Sequence, residues 1–164
     1  MVHIRLWKNL QNGIKKIIKA RGKLQVIERK KMKLIVLVDN NTFIDEYYLG
    51  EPAVSYYIED EDTKILFDTG YSDAFIKNAK RMNIDLNDIN KIIISHGHND
   101  HTGGLKYLSK NIKNENIEII AHPNCFDKKY FEGEYIGTSV DEEELRCEIR
   151  PTLVHASIRS VVKA

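Results

Sequence analysis

The feature that most constrains this chain is a polar loop that directly follows the apolar run Ile92–Ile94. The apolar run predicts a short buried strand, so the loop falls at the carboxyl end of a strand, where α/β folds place ligands. Gly97, Gly103 and Gly104 permit the tight backbone path that such a loop needs. The six residues of the loop read His96-Gly97-His98-Asn99-Asp100-His101.

The rest of the chain alternates short apolar runs with segments of helical periodicity, which indicates an α/β domain. Ser72 is a suitable N-cap for a helix whose apolar face carries residues 75, 76, 79 and 82. A short helix is predicted after Gly104 and another over residues 141–147. Further strands are predicted at Leu34–Val38, Ala53–Ile58, Lys64–Phe67 and Ile117–Ala121.

The first 33 residues are strongly basic, with 11 Lys or Arg and one acidic residue, whereas the remainder carries a net charge of −9. This asymmetry indicates either an arm for an anionic partner or a segment foreign to the domain. Apolar residues at helical spacing predict that the first part of this segment is a helix. We therefore divide the chain into a basic amphipathic N-terminal extension, residues 1–31, and a domain, residues 32–164. The apolar residues are Trp7, Leu10, Ile14, Ile17 and Ile18.

Composition restricts the class of protein. With 42% apolar and 30% charged residues, the chain is globular rather than disordered. No stretch approaches the ~20 apolar residues of a membrane span, and the N-terminus lacks the pattern of a secretory signal. Two cysteines do not make a disulfide framework. We therefore expect a cytoplasmic protein with reduced thiols.

The spacing within the loop favours metal binding. Alternate side chains of an extended segment point the same way, so His96 and His98 can hold one ion together. If the backbone then bends, Asp100 and His101 are available to a second ion. Imidazole and carboxylate ligands suit zinc, iron or manganese. The alternative is a solvated surface loop, whose clustered imidazoles would repel one another when protonated.

The segment from Ser95 to Leu105 resembles the signature of the metallo-β-lactamase superfamily, and Leu66-Phe67-Asp68-Thr69-Gly70 matches the motif that precedes it there. Other stretches resemble one branch, which includes the archaeal enzyme that joins a dihydropterin to a ribofuranosyl-aminobenzene phosphate. Those stretches are Val38–Thr42, Ile120–Pro123 with Phe126 and Lys128–Tyr130, and Ile136-Gly137.

The resemblance implies an αββα sandwich with a metal site at one edge of its sheets. It implies that His96 and His98 bind a first ion and that Asp100 and His101 bind a second. Zinc is the expected metal, as one or two ions, with iron, manganese or magnesium as alternatives. Asp68 would lie beside the loop and orient its ligands, although a turn residue before Gly70 remains an alternative reading.

The chain departs from the family pattern because relatives supply further ligands after this loop. His155 follows the strand-like Thr152–Val154 and could be a third ligand or a structural residue. His122 precedes a proline and is interpreted as pocket wall or structural, and Cys125 and Cys147 as small buried residues. We therefore expect only the N-terminal half of the sandwich, with one sheet face open to a second copy or a complementary chain.

Three functions follow from these observations. The first is a metal-dependent hydrolase of a small-molecule substrate, in which Asp100 holds or deprotonates a water, or a related transferase of the pterin type. The second is a truncated, non-catalytic metal-binding fragment. The third, nucleic-acid binding through the basic arm, is disfavoured because aromatic residues do not interleave with its charges.

Overall fold

The computed structural model describes residues 15–20, 23–28, 32–42, 47–114, 116–149 and 152–155, and the side chains of 32–42, 47–114 and 116–145. A six-stranded sheet forms the centre of the described domain. Its strands, in spatial order, are β10 (Thr152–His155), β7 (Glu118–Ala121), β6 (Lys91–Ile93), β5 (Thr63–Phe67), β4 (Ser55–Asp60) and β3 (Lys33–Val38).

The sheet is mixed. β3, β4 and β5 pair antiparallel, whereas β5, β6, β7 and β10 run parallel. Two antiparallel pairs lie outside this sheet, β1 (Lys15–Ala20) with β2 (Lys23–Glu28), and β8 (Tyr130–Phe131) with β9 (Glu134–Tyr135). The carboxyl ends of β5 and β6 therefore meet at one edge of the sheet, and the chain that leaves each strand there is close to the other.

Four α-helices connect these strands within the described residues. They are α1 (Ala74–Arg81), α2 (Asn99–Thr102), α3 (Leu108–Asn111) and α4 (Glu142–Ile149). Short 3₁₀ helices cover Leu86–Asp88, Leu105–Tyr107 and Pro123–Phe126. No helix of the described residues is long and apolar enough to cross a membrane.

One face of the sheet carries the hydrophobic core. Strand register places Ile35, Tyr57, Leu66, Ile92 and Ile119 in a single row across five strands. The last three are fully buried and Tyr57 is nearly so, and burying a side chain of this size contributes about 1.5–3 kcal/mol. The same buried cluster includes residues from three helices, namely Phe75, Ala79, Leu108 and Leu145.

The opposite face is less well covered at its edge. Leu34 and Val36 of β3 point away from the core and are 54% and 43% exposed. β3 is one outer strand of the sheet and β10 is the other. The outward-facing side chains of the next strands are half-buried, and the expectation of an open apolar face stays a prediction.

The strands predicted for the domain are observed, with shifts of one or two residues at their ends. Ser72 also lies where a cap was predicted, and its Oγ accepts a hydrogen bond from the backbone N–H of Ala74 at 3.1 Å, although Asp73 is the N-cap residue of α1. The helix predicted beyond Gly104 is a 3₁₀ turn followed by α3.

The predicted N-terminal helix is wrong where the segment is described. Lys15–Ala20 and Lys23–Glu28 form an antiparallel pair of strands. Their β-branched residues, Ile17 and Ile18 in one strand and Val26 and Ile27 in the other, favour extended backbone over helix. Trp7, Leu10 and Ile14 lie outside the described residues. The boundary proposed at residue 31 stays a prediction.

A buried asparagine connects α1 to the loop that follows β3. The Asn78 side chain is 1% exposed. Its amide nitrogen donates to the carbonyl oxygens of Leu37 and Leu49 at 2.7 and 2.8 Å, and its oxygen accepts from the N–H of Leu49 at 2.9 Å. This one amide therefore satisfies three backbone groups of other segments.

Replacing Asn78 by leucine should destabilise the domain, because the isosteric side chain leaves those three groups without this partner, one of them buried and two partly buried. We expect the free energy of unfolding to fall by about 2–4 kcal/mol, since each orphaned group costs roughly 1–3 kcal/mol. Urea denaturation measures the change. Asn116→Ala, at an exposed asparagine, is the control and should stay within about 0.5 kcal/mol. Equal stability of the two variants would contradict this account of Asn78.

Candidate metal centre

The histidine loop begins three residues after the end of β6 and ends in the single turn of α2. His98 is the N-cap residue of α2 and has extended backbone, so His96 and His98 precede the helix while Asp100 and His101 belong to it. The backbone is extended up to His98 and helical after it. This change of direction brings the side chains of His96 and His98 close to those of Asp100 and His101. The predicted bend in the loop is therefore present.

The imidazole rings of the loop lie against one another. His96 Nε2 is 3.1 Å from His98 Nδ1, and the His96 and His101 ring centroids are 4.1 Å apart. One ligand atom each from His96, Asp100 and His101 lies within 4.8 Å of the other two. The described residues thus bring three of the four predicted ligands to one point, with His98 beside them.

Asp68 holds the loop from behind. It follows β5, is completely buried and has a φ of +56°, a conformation that favours glycine. Its Oδ2 accepts a hydrogen bond from His101 Nδ1 at 2.7 Å and another from Ser95 Oγ at 2.7 Å. Its Oδ1 accepts from the N–H of Ser95 at 2.8 Å. Both carboxylate oxygens are therefore engaged by the loop.

This contact fixes the direction of the His101 ring. With Nδ1 donating to Asp68, the lone pair of the neutral imidazole is on Nε2. Nε2 lies 3.2 Å from Asp100 Oδ2. The ring is thus oriented with its free nitrogen beside a carboxylate oxygen, which is the arrangement that a divalent cation requires of these two side chains.

The electrostatic environment differs between two of the histidines. Burial lowers the pKa of His101, but the hydrogen bond to Asp68 and the negative charges of Asp68 and Asp100 outweigh it, so that this pKa is raised. For His96, burial and then the neighbouring His101 and His98 lower the pKa. Without a bound ion, His101 therefore keeps its ring proton to a higher pH than a free imidazole does, and His96 loses it at a lower pH.

Backbone contacts fix the loop on its inner side. The carbonyl oxygen of His101 accepts hydrogen bonds from the Thr69 N–H at 2.8 Å and from Thr69 Oγ1 at 3.0 Å. A side chain at Gly97 would approach the carbonyl oxygen of Cys125 to 1.8 Å, and one at Gly104 would approach that of Thr69 to 2.2 Å. Only glycine fits at these two positions, because the facing atoms belong to the backbone.

The outer side of the loop is bound to a later segment. His98 forms an isolated antiparallel bridge with Gly137, and the N–H of Asn99 donates to the carbonyl oxygen of Ile136 at 2.9 Å. Sequence reasoning gave no role to this contact or to Ser95. Ser95 and Ile136-Gly137 both lie within the stretches on which the family resemblance rests. A motif alone does not show which residues are in contact, so these contacts were not predicted.

The remaining histidines and cysteines lie apart from this cluster where the structure describes them. His122 is exposed, and its Nδ1 accepts from the N–H of Asn124 at 3.1 Å, which agrees with a structural role. Cys125 is buried, and burial raises the pKa of its thiol to about 11. The backbone of His155 pairs with Ala121. The side chains of His155 and Cys147 lie outside the described residues.

Comparison with known proteins places these features in a family. The sequence model of the Metallo-beta-lactamase superfamily matches residues 49–141 of this chain. A solved structure described as a metal-dependent hydrolase of the beta-lactamase superfamily is 33% identical, with a TM-score of 0.61, and the match covers 79% of this chain and 43% of that one.

Two curated relatives come from Methanocaldococcus jannaschii. One is an uncharacterised protein, 36% identical over 66% of this chain and 40% of its own length. The other is named 7,8-dihydropterin-6-methyl-4-(beta-D-ribofuranosyl)-aminobenzene-5'-phosphate synthase and is 38% identical over 58% of this chain and 34% of its own length. The matches thus span well under half of either relative.

The family expected from the histidine loop and from residues 66–70 is confirmed, as is the similarity to the pterin synthase branch. The mixed sheet with helices on its buried face agrees with the N-terminal part of the fold, since less than half of the similar solved structure is matched. The chain belongs to the metallo-β-lactamase superfamily.

Proposed function

We propose that this chain is a metal-dependent, hydrolase-like protein that activates water or polarises a small-molecule substrate at the histidine loop. The observation that carries the proposal is the convergence of ligand atoms from His96, Asp100 and His101 within 4.8 Å. The buried Asp68 carboxylate, which orients His101, gives the proposal its second support.

The donor atoms of the cluster fit a divalent metal. Imidazole nitrogen and carboxylate oxygen are the ligands of zinc in hydrolytic sites, and iron and manganese accept the same set. We assign His96 and His98 to one ion and Asp100 and His101 to a second, with zinc as the metal. Magnesium fits less well, because it prefers oxygen ligands and keeps its waters.

A divalent ion at such a site lowers the pKa of a coordinated water toward 7 and polarises a carbonyl or phosphoryl oxygen. Asp100 would hold that water and accept its proton. Asp68, through its hydrogen bond to Nδ1, would keep the His101 ring turned with Nε2 toward the ion.

A metal-assisted transferase is the second candidate. The relative named as a pterin-pathway synthase is 38% identical to this chain, and a metal site that polarises a substrate serves transfer as well as hydrolysis. A non-catalytic metal-binding protein is the third candidate, since the described loop supplies two protein ligands for each of two ions. Turnover assays on the metal-loaded protein separate these possibilities.

The metal assignment predicts a loss of zinc when the first pair of ligands is removed. Wild-type protein should retain zinc after dialysis, and the His96→Ala/His98→Ala variant should retain little, because two of the four proposed ligands are gone. Elemental analysis per chain measures this. His122→Ala removes an exposed histidine outside the cluster and should retain the wild-type content. Equal zinc in all three proteins would exclude the assignment.

The role proposed for Asp68 predicts that Asp68→Asn weakens zinc binding by roughly 10- to 100-fold. The amide keeps the shape of the carboxylate but loses its charge and one acceptor oxygen, so His101 is held less firmly. Competition with a chromogenic chelator measures the dissociation constant, and circular dichroism checks that the domain is folded. Unchanged affinity in a folded variant would show that Asp68 is only a turn residue.

Hydrolysis of generic ester, lactone or phosphodiester substrates by the zinc-loaded chain should be slow. A catalytic zinc ordinarily has three protein ligands and one open position, and the described loop provides two side chains per ion. Steady-state assays on wild type and His98→Ala measure the rate. Rapid zinc-dependent hydrolysis that His98→Ala abolishes would contradict the expectation and show a more complete site.

A further inference from the structure

An aromatic hairpin lies next to the metal centre. Its strands are β8 and β9, and the turn between them places Glu132 and Gly133 at positive φ, +49° and +87°, as in the tight turns that suit hairpins. Tyr130, Phe131 and Tyr135 are 63%, 64% and 44% exposed. Three large aromatic side chains on so short an element are unusual unless something binds to them.

The base of this hairpin is joined to the loop that carries the ligands. Gly137 pairs with His98, and Ile136 accepts a hydrogen bond from the N–H of Asn99 at 2.9 Å. The N–H of Ile136 in turn donates to the carbonyl oxygen of Lys129 at 3.0 Å. The segments on both sides of the hairpin are therefore tied to each other and to the metal loop.

Lys129 strengthens this connection from the other side. Its ammonium group donates to the carbonyl oxygens of Asn124, Cys125 and Asp127 at 2.8, 3.0 and 2.9 Å. The carbonyl oxygen of Cys125 is the atom that leaves no room for a side chain at Gly97. The ammonium group of Lys129 thus holds residues 124–127, which lead into the hairpin, against the histidine loop. It is not a free surface charge.

Two of the aromatic rings lie together beside Gly137, the residue whose backbone pairs with His98. The Tyr135 hydroxyl donates to the carbonyl oxygen of Thr138 at 2.7 Å, which folds its ring over Gly137, where an added side chain would come within 2.7 Å of it. Tyr130 lies directly across from Tyr135 in the hairpin, and their ring centroids are 5.4 Å apart, edge to face. The two rings therefore extend outward from the partner of His98.

We propose that Tyr130 and Tyr135 bind a planar aromatic part of the substrate while its reacting group lies at the metal centre. Rigid aromatic side chains provide a large contact area at low cost in conformational entropy, and a ring stacked on them gains specificity from its geometry. The inference rests on the proposed function, because it assigns the substrate class of the same site.

The test compares two metal-binding probes, phenylphosphonate and cyclohexylphosphonate, on the zinc-loaded protein at a pH high enough that both are dianions. Isothermal titration calorimetry gives both dissociation constants. Wild type should bind phenylphosphonate about threefold to tenfold more tightly, as expected for one aromatic pair. Tyr130→Leu should bring this ratio close to one, whereas Tyr130→Phe should keep it. Tyr47→Leu, at a tyrosine that is 79% exposed on another part of the domain, should also keep the wild-type ratio.

Zinc content and oligomeric state are measured on each sample. These two measurements distinguish a failure of the proposed metal-dependent function from a failure of the proposed aromatic binding surface. A wild-type protein without zinc would refute the proposed function and the substrate class with it. Full zinc with equal affinity for both probes would refute the aromatic platform alone. An oligomer that Tyr130→Leu converts to a monomer, with the probe ratio unchanged, would assign this surface to a protein contact and would also overturn the inference.

Discussion

The buried carboxylate of Asp68 is the interaction on which the rest of the site depends. One side chain accepts hydrogen bonds from the backbone and the hydroxyl of Ser95 and from the ring of His101. A buried carboxylate is costly to desolvate unless its oxygens are satisfied by such donors. Asp68 therefore requires the loop to lie where it does, and in return it sets the direction of a proposed metal ligand.

The sheet explains why Asp68 and the loop meet. β5 and β6 are parallel neighbours, so the residues that leave them, Asp68 and Ser95, emerge at the same edge. Further contacts from outside the sheet, at Gly137 and Ile136, fix the other side of the loop. The loop is thus held between the sheet edge and the base of the aromatic hairpin. Such support from rigid surroundings is what a precise metal site needs.

Much of the fold could be predicted because its strands are short, apolar and β-branched, and because a distinctive loop follows one of them. The N-terminal helix was predicted wrongly for the same kind of reason: isoleucines at helical spacing also suit a strand, and residues 15–20 pair with residues 23–28 as strands. The contacts of Asn78, Ser95 and Gly137 could not be predicted, since each joins residues distant in sequence or depends on the exact position of a carbonyl group. The three aromatic residues of the hairpin gave no periodic signal.

The most direct test of the account is a crystal structure of the zinc-loaded protein with data collected at the zinc absorption edge. The account predicts an anomalous peak about 2.0–2.1 Å from Nε2 of His101, with Nδ1 still donating to Asp68 and with Asp100 as a second ligand of the same ion. A peak at Cys125, or a His101 ring turned so that Nδ1 faces the ion and Asp68 has lost its contact, would contradict the claim that this buried carboxylate organises the metal centre.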